Sequence, residues 1–119
     1  MDKNKKVLIV EDERRWQELL AETIVQLGRL PIEAMTVKEG ERLFRENPDV
    51  VAILMDACVP GDTPTTVSLV RKIRDEMYRG PIVAMSSVLE YRELLVVAGC
   101  SHQCDKSDLL QRLPEILNG

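Results

Sequence analysis

Acidic, hydroxyl and ammonium side chains lie where short apolar runs of the chain end. They are Glu11, Asp12, Asp56, Ser86 and Lys106. A carboxylate at the end of a buried run is costly unless a charge or ligand compensates it. Clustered carboxylates repel one another, and a divalent cation removes that penalty. Oxygen ligands without His or Cys favour Mg²⁺, and a carboxylate beside a metal, a lysine and a hydroxyl is equipped to accept a phosphoryl group.

These side chains act together only if the ends of the runs meet, and the apolar pattern predicts that they do. Short apolar runs alternate along the chain with stretches of helical spacing. The predicted strands are residues 7–10, 31–35, 50–55, 82–85 and 101–105, and the predicted helices are 14–27, 36–45, 67–77, 89–98 and a last one after 105. This alternation predicts an α/β fold, a single doubly wound (βα)5 domain over residues 1–119 with a parallel five-stranded sheet. The carboxyl ends of parallel strands share one edge, where such folds place their sites.

Particular residues predict the helix boundaries. Gly28 is expected to end the first helix, and Thr36 with Glu39 three residues later predicts a capping box at the start of the second. Met77 continues the apolar spacing of the third helix. Pro114 lies inside the last helix and would break its hydrogen-bond ladder, so we predict that this helix is short.

Composition argues against several classes of protein. A net charge of −4 is unlike that of a general nucleic-acid binder. No apolar run approaches the ~20 residues that span a membrane, so we expect neither nucleic acid nor membrane as a direct partner. Three cysteines without a close CxxC pair fit a reducing compartment, and we expect the protein to be cytoplasmic.

Cys100, His102 and Cys104 alternate, so on a strand their side chains would share one face. A zinc site would need a fourth ligand, which we do not find in the sequence. We therefore interpret the two thiols as small buried core groups.

Four blocks of the sequence carry a resemblance to a known family. In chain order, the blocks are VLIVEDE (7–13), AILMDACVPG (52–61), PIVAMSS (81–87) and GCSHQCDK (99–106). Together they resemble the four sequence blocks of response-regulator receiver domains in two-component signalling. The resemblance covers essentially the whole chain and implies a flavodoxin-like sheet with strand order 2-1-3-4-5.

The resemblance also implies a function. A receiver takes a phosphoryl group from a histidine kinase or a histidine phosphotransfer protein in a Mg²⁺-dependent reaction. It signals through contacts with a downstream protein, which the sequence does not identify, and a homodimer is compatible with this role. Such a domain promotes its own phosphorylation and dephosphorylation but is a signalling module, not an enzyme.

Roles at the metal and phosphoryl site carry over residue by residue from the resemblance. Asp56 matches the phosphoacceptor, and Asp12 matches the main side-chain metal ligand. Asp56 and the backbone carbonyl of Cys58 would complete the protein ligands, with Glu11 acting through water. Ser86 and Lys106 match the switch hydroxyl and the lysine that contact the phosphoryl group.

Two departures from the family pattern stand close to that lysine. Gln103 occupies the place of the family's switch aromatic residue. We predict from this that signal transmission does not use the common aromatic switch. Ser107 follows Lys106 where the family usually has proline, and because a cis bond before a residue other than proline costs ~3 kcal/mol, we expect this bond to be trans.

Three other functional interpretations of the sequence remain besides the receiver domain. A pseudo-receiver interaction module would keep the fold without phosphorylation, but the acid, hydroxyl and lysine set is complete. A Mg²⁺-dependent phosphohydrolase or a nuclease of the topoisomerase-primase type would use a DxD motif, which this chain lacks. A flavodoxin would carry a Ser/Thr-rich phosphate loop after the first strand, where this chain has Glu11, Asp12 and Glu13.

Overall fold

The computed structural model describes residues 5–118 and contains strands that alternate with helices. The elements are β1 (Lys6–Val10), α1 (Arg14–Gln26), β2 (Leu30–Ala34), α2 (Val37–Glu46), β3 (Ala52–Asp56), α3 (Val67–Asp75), β4 (Ile82–Met85), α4 (Leu89–Ala98), β5 (His102–Cys104) and α5 (Lys106–Asn118). The strands form one parallel sheet of order β2-β1-β3-β4-β5, which confirms the predicted fold class and strand order. Within residues 5–118, none of the helices combines the length and the apolar character needed to cross a membrane.

Helices cover both faces of the sheet, which explains why the central strands are almost wholly apolar. Alternate residues of β3 point to opposite faces: Ile53 and Met55 pack in the layer of α2, α3 and α4, whereas Ala52 and Leu54 pack in the layer of α1 and α5. This double-sided burial fixes the strand register, because a slip of one residue would exchange the two sets. The strand ends, and the polar residues beyond them, are therefore held in fixed positions.

The capping prediction for α2 is confirmed. Thr36 Oγ1 accepts a hydrogen bond from the backbone N–H of Glu39 at 3.0 Å. The Glu39 carboxylate in turn accepts from the backbone N–H of Met35 at 2.7 Å, one residue before the cap. Both contacts satisfy backbone donors at the entry to the helix.

The prediction that the last helix is short was wrong, because α5 runs through Pro114 for 13 residues. Proline removes the hydrogen bond to the carbonyl of Leu110 and crowds the preceding turn. Leu113 is buried, and Ile116 and Leu117 beyond the proline pack against the same core layer. Their burial offsets the local cost of the proline, so the helix continues.

The placement of Met77 on the third helix was also wrong. Because α3 ends at Asp75, Met77 lies beyond the helix with φ of 69° and is 66% exposed. This left-handed residue turns the chain so that Tyr78 enters the core. There the Tyr78 ring stacks edge-on against Phe44, with 5.5 Å between ring centroids.

The two alternating thiols are buried, as interpreted, but they do not share a face. Cys100 packs in the layer of α2, α3 and α4, and Cys104 packs in the layer of α1 and α5. Strand β5 begins only at His102, after a turn in which Gly99 has φ of 139°. The alternation of a strand therefore does not extend back to Cys100.

Candidate functional site

The carboxyl ends of β1, β3, β4 and β5 meet at one edge of the sheet, around an open cavity of about 860 Å³. Its lining includes Asp12, Asp56, Cys58, Ser86 and Lys106. The parallel sheet thus brings together side chains that are up to 94 positions apart in the sequence. A cavity of this size can admit a phosphoryl group together with hydrated ions.

Three carboxylates cluster at this cavity, two of which, Asp12 and Asp56, line it. An oxygen from each of Glu11, Asp12 and Asp56 lies within 4.8 Å of the others. Glu11 is fully buried and Asp56 is 4% exposed, while Asp12 is partly open to solvent. Asp56 is therefore buried but borders the cavity, and Asp12 gives the cluster its access to water.

The ammonium of Lys106, the first residue of α5, lies between two of these carboxylates. Lys106 Nζ is 2.7 Å from Glu11 Oε1 and 3.2 Å from Asp56 Oδ2. Burial disfavours the charged ammonium, but hydrogen bonds and charge from Glu11 and Asp56 outweigh it and raise the pKa of Lys106. Nζ also lies 6.0 Å from the centre of the Trp16 ring, which lines the same cavity.

The fold penalises the ionisation of the buried Glu11 carboxylate. Burial raises its pKa from 4.5 to about 7, the hydrogen bond from Lys106 opposes the rise, and the charge of Asp56 adds to it. Glu11 Oε2 accepts from the backbone N–H of Glu13 at 3.0 Å. Because Lys106 lies against Oε1, both Glu11 oxygens already face a partner.

The donor set of the cluster fits a divalent cation. All the groups are carboxylate oxygens, the class of ligand that Mg²⁺ and Ca²⁺ prefer, and Asp12 leaves one side accessible to water. Cys58 lies at the cavity wall two residues beyond Asp56, and its backbone N–H donates to Asp56 Oδ1 at 3.2 Å. Glu11 would reach a cation in the cavity through water, because its oxygens are already engaged.

Ser86 supplies a hydroxyl to the same cavity from the end of β4. The residue is 6% exposed, and its Oγ accepts from the backbone N–H of Val88 at 3.0 Å. Its hydroxyl hydrogen has no acceptor among residues 5–118, so it remains available to a ligand oxygen. The site therefore combines the Asp56 carboxylate with an ammonium and a hydroxyl that can bind ligand oxygens.

The backbone beyond the strand ends is held by contacts that the sequence did not predict. Thr66 is fully buried at the start of α3, and its hydroxyl donates to the carbonyl oxygen of Asp56 at 2.8 Å. A threonine followed by an amphipathic helix is the sequence feature that could have indicated the Thr66 contact.

The Val59–Pro60 peptide bond is cis, whereas the bond after Lys106 is trans as expected.

Gln17 is a second residue that sequence reasoning missed. It is 2% exposed, and its amide Nε2 lies 3.3 Å from the carbonyl oxygen of Ile9, 3.1 Å from that of Glu11 and 3.0 Å from that of Ala34. The amide thereby ties the end of β1 to the end of β2, directly behind the acidic pair. Gln17 lies three positions before Leu20 on the buried face of α1, and this spacing could have identified it as a buried residue.

Arg92 is the third such residue. Its Nη1 donates to the carbonyl oxygen of Ser86 at 2.8 Å, and its Nε donates to Gln103 Oε1 at 3.2 Å. Gln103, at the expected switch position, is thus hydrogen-bonded to α4. Its backbone carbonyl also accepts from Arg112 Nη1 of α5 at 3.1 Å. No local sequence pattern indicates these contacts, because they join residues on different elements.

Comparison with known proteins identifies the fold. No protein-family model and no curated protein sequence matches the chain. A response regulator receiver domain protein from Clostridium thermocellum is 20% identical with a TM-score of 0.83, and the alignment covers 96% of this chain and 91% of that one. The receiver domain of the Francisella response regulator 1452 is 20% identical with a TM-score of 0.80, covering 97% and 94%. The chemotaxis protein CheY4 of Vibrio cholerae is 19% identical with a TM-score of 0.77, covering 95% and 98%. The chain therefore has the fold of response-regulator receiver domains.

Proposed function

We propose that the chain acts as a receiver domain, which accepts a phosphoryl group on Asp56 from a histidine kinase or a histidine phosphotransfer protein. The observation that carries the proposal is the position of Lys106 Nζ, 3.2 Å from Asp56 Oδ2, at a cavity that Asp12 also lines and next to the buried carboxylate of Glu11. Clustered carboxylates repel one another, so an arrangement of this kind is costly unless a bound cation or ligand compensates it. The similarity in fold to solved receiver domains supports the same role.

The chemistry is a phosphoryl transfer between two nucleophiles. A carboxylate oxygen of Asp56 forms a bond to the phosphorus of a phosphohistidine, and the phosphorus–nitrogen bond breaks. The histidine ring leaves with the bonding electron pair. The product is an acyl phosphate on Asp56, which water later hydrolyses to restore the carboxylate and release inorganic phosphate.

The resident metal of this proposal is Mg²⁺, which would neutralise charge on the transferring oxygens. Asp12, Asp56 and the backbone carbonyl of Cys58 would hold it, and Glu11 would contact it through water. The oxygen-only donor set and the partial exposure of Asp12 support this assignment.

Two further groups bind the phosphoryl oxygens in this proposal. The Lys106 ammonium is already 3.2 Å from the acceptor carboxylate. The Ser86 hydroxyl borders the same cavity with its hydrogen free for an acceptor. Output then passes to a downstream protein through a change at the surface that includes α4 and β5, because both elements connect directly to Ser86.

Intact-mass spectrometry after incubation with Mg²⁺ and acetyl phosphate tests the proposal. We expect the unmodified protein to gain the mass of one phosphoryl group, and we expect Asp56→Asn and Asp12→Asn to show no gain. Asp75→Asn, an exposed acid at the end of α3, is the matched control and retains the gain. An unmodified protein without adduct would favour the pseudo-receiver, and an undiminished adduct on Asp56→Asn would remove Asp56 from its assigned role.

A further inference from the structure

A polar bridge connects the end of β4 with β5 through one side chain of α4. Arg92 donates from Nη1 to the carbonyl oxygen of Ser86 at 2.8 Å and from Nε to Gln103 Oε1 at 3.2 Å. Arg92 and Gln103 are both partly buried, so water competes only in part for these contacts. The guanidinium therefore fixes two elements at once, with two nitrogens of a single planar group.

The chemistry of Arg92 and Gln103 fixes which atom of the Gln103 amide takes part in the bridge. A guanidinium offers only donors, so the Gln103 amide must present its oxygen to Arg92. Both contacts are hydrogen bonds from a charged donor, which are stronger than bonds between neutral groups. A side chain without an acceptor atom at position 103, such as leucine, would remove the contact from Arg92 Nε and leave only the contact to the Ser86 carbonyl. The bridge is thus specific to a residue with an acceptor oxygen at this place in β5.

The bridge acts on the segment that carries the Ser86 hydroxyl. Ser86 is held by its own carbonyl, which Arg92 binds, and by its Oγ, which accepts from the backbone N–H of Val88 at 3.0 Å. These two contacts restrict both the backbone and the side chain of Ser86 at the cavity. Loss of Arg92 would free the Ser86 carbonyl and leave the Val88 contact and a long 3.4 Å bond from the Ser86 backbone N–H to the Cys104 carbonyl.

We propose that Arg92 is a positioning residue of the phosphoryl site, which fixes the Ser86 hydroxyl at the cavity that Asp56 borders and makes its position depend on Gln103. The inference rests on the proposed function, because it assigns Arg92 a part in binding the phosphoryl group. Arg92 itself does not touch the reacting atoms. Gln103 in turn is fixed from the other side by Arg112 of α5, through a 3.1 Å bond to its carbonyl. Binding at Asp56 is thereby linked to the packing of α4, β5 and α5.

Beryllofluoride, which mimics a phosphoryl group on a carboxylate, provides the test in the intact protein. The fluorescence of Trp16, the single tryptophan, reports on the cavity that it lines. Titrations of Mg²⁺ alone, and of beryllofluoride at saturating Mg²⁺, give the two dissociation constants for each variant. The variants are Arg92→Met, Gln103→Leu, the two combined, and Arg71→Met as an exposed arginine control on α3.

We expect Arg92→Met to weaken beryllofluoride binding about tenfold, because a poorly placed Ser86 hydroxyl loses most of one hydrogen bond to the charged ligand. Its Mg²⁺ affinity stays unchanged, since Arg92 contacts none of the three carboxylates. Gln103→Leu weakens beryllofluoride binding in the wild-type background and has no further effect in the Arg92→Met background. Arg71→Met changes neither constant.

Each other outcome overturns a defined part of the reasoning. Equal beryllofluoride affinity in wild type and Arg92→Met overturns the inference and leaves the proposed function standing. Parallel weakening of Mg²⁺ and beryllofluoride assigns Arg92 a purely structural role, which also overturns it. Full additivity of the Arg92 and Gln103 effects overturns the link through Gln103. A wild-type protein that binds Mg²⁺ but no beryllofluoride overturns the proposed function itself.

Discussion

We expect replacement of Glu11 by glutamine to stabilise the metal-free protein above neutral pH. The fold buries this carboxylate completely and raises its pKa from 4.5 to about 7. Ionised Glu11 therefore costs the folded state free energy that the unfolded chain does not lose. Glutamine has nearly the same shape as a protonated glutamic acid and avoids that cost.

The structure sets the size of the effect. A rise in pKa from 4.5 to about 7 corresponds to about 3 kcal/mol. The glutamine amide must face either the Lys106 ammonium or the backbone N–H of Glu13, both of which are donors. One hydrogen bond worth about 1 kcal/mol is therefore lost. The net gain at about pH 8 is about 2 kcal/mol, and at about pH 5 the two proteins have similar stability.

The sign of the pH dependence follows from the direction of the pKa change. Below about pH 4.5 the carboxyl is protonated in both the folded and the unfolded state and carries no penalty. Between this value and about 7, the folded state keeps a proton that the unfolded chain has lost, so stability falls as pH rises. In the Glu11→Gln variant this part of the pH dependence disappears.

Urea unfolding in EDTA, followed by Trp16 fluorescence across this pH range, measures the effect. Glu22→Gln, at an exposed position of α1, serves as the control and is expected to follow the wild-type profile. A Glu11→Gln variant less stable than wild type at about pH 8 would refute the reasoning. So would a wild-type stability that does not fall between about pH 5 and pH 8.

Three further predictions concern helix stability and thiol reactivity. Thr36→Ala removes the side-chain cap of α2 and is expected to lower the free energy of unfolding by about 1 kcal/mol, measured by urea unfolding. Pro114→Ala restores a hydrogen bond inside α5 at an exposed position and is expected to raise it by about 2 kcal/mol, in the same assay. Burial raises the pKa of the Cys100 thiol to about 12, so mass spectrometry after iodoacetamide treatment is expected to show Cys58, which is partly exposed, modified before Cys100.

Each of these predictions has a contrary result. Thr36→Ala as stable as wild type would mean that the helix start does not depend on its cap. A Pro114→Ala variant less stable than wild type would mean that contacts of the proline ring stabilise the folded state. Modification of Cys100 before Cys58 would show that the turn after α4 opens readily.

The sheet, and the edge of it where the polar residues meet, could be predicted from the sequence because both depend on local patterns. Apolar runs as short as Ile82–Met85 define strands, helical spacing separates them, and parallel strands must share one edge. Glu11, Asp56 and Lys106 could be placed together without any knowledge of their contacts. The roles assigned to them remain predictions that the experiments above test.

Features that depend on tertiary packing could not be read in the same way. The continuation of α5 through Pro114 depends on core contacts formed by Ile116 and Leu117, which no local rule describes. The exposure of Met77 follows from a single residue with positive φ. The bridge from Arg92 to Gln103 joins residues on different elements, and only their side-chain geometry reveals it.

The position of Lys106 has a consequence for the growing polypeptide. The acidic residues of β1 and β3 leave the ribosome first, whereas the ammonium that lies between Glu11 and Asp56 is 50 residues beyond Asp56. A nascent chain or truncated fragment that stops before Lys106 has the Asp56 carboxylate without its counter-charge. Under the proposed function, we expect such an incomplete chain to be a poor phosphoryl acceptor, so that only molecules in which the last strand and helix have docked would be phosphorylated.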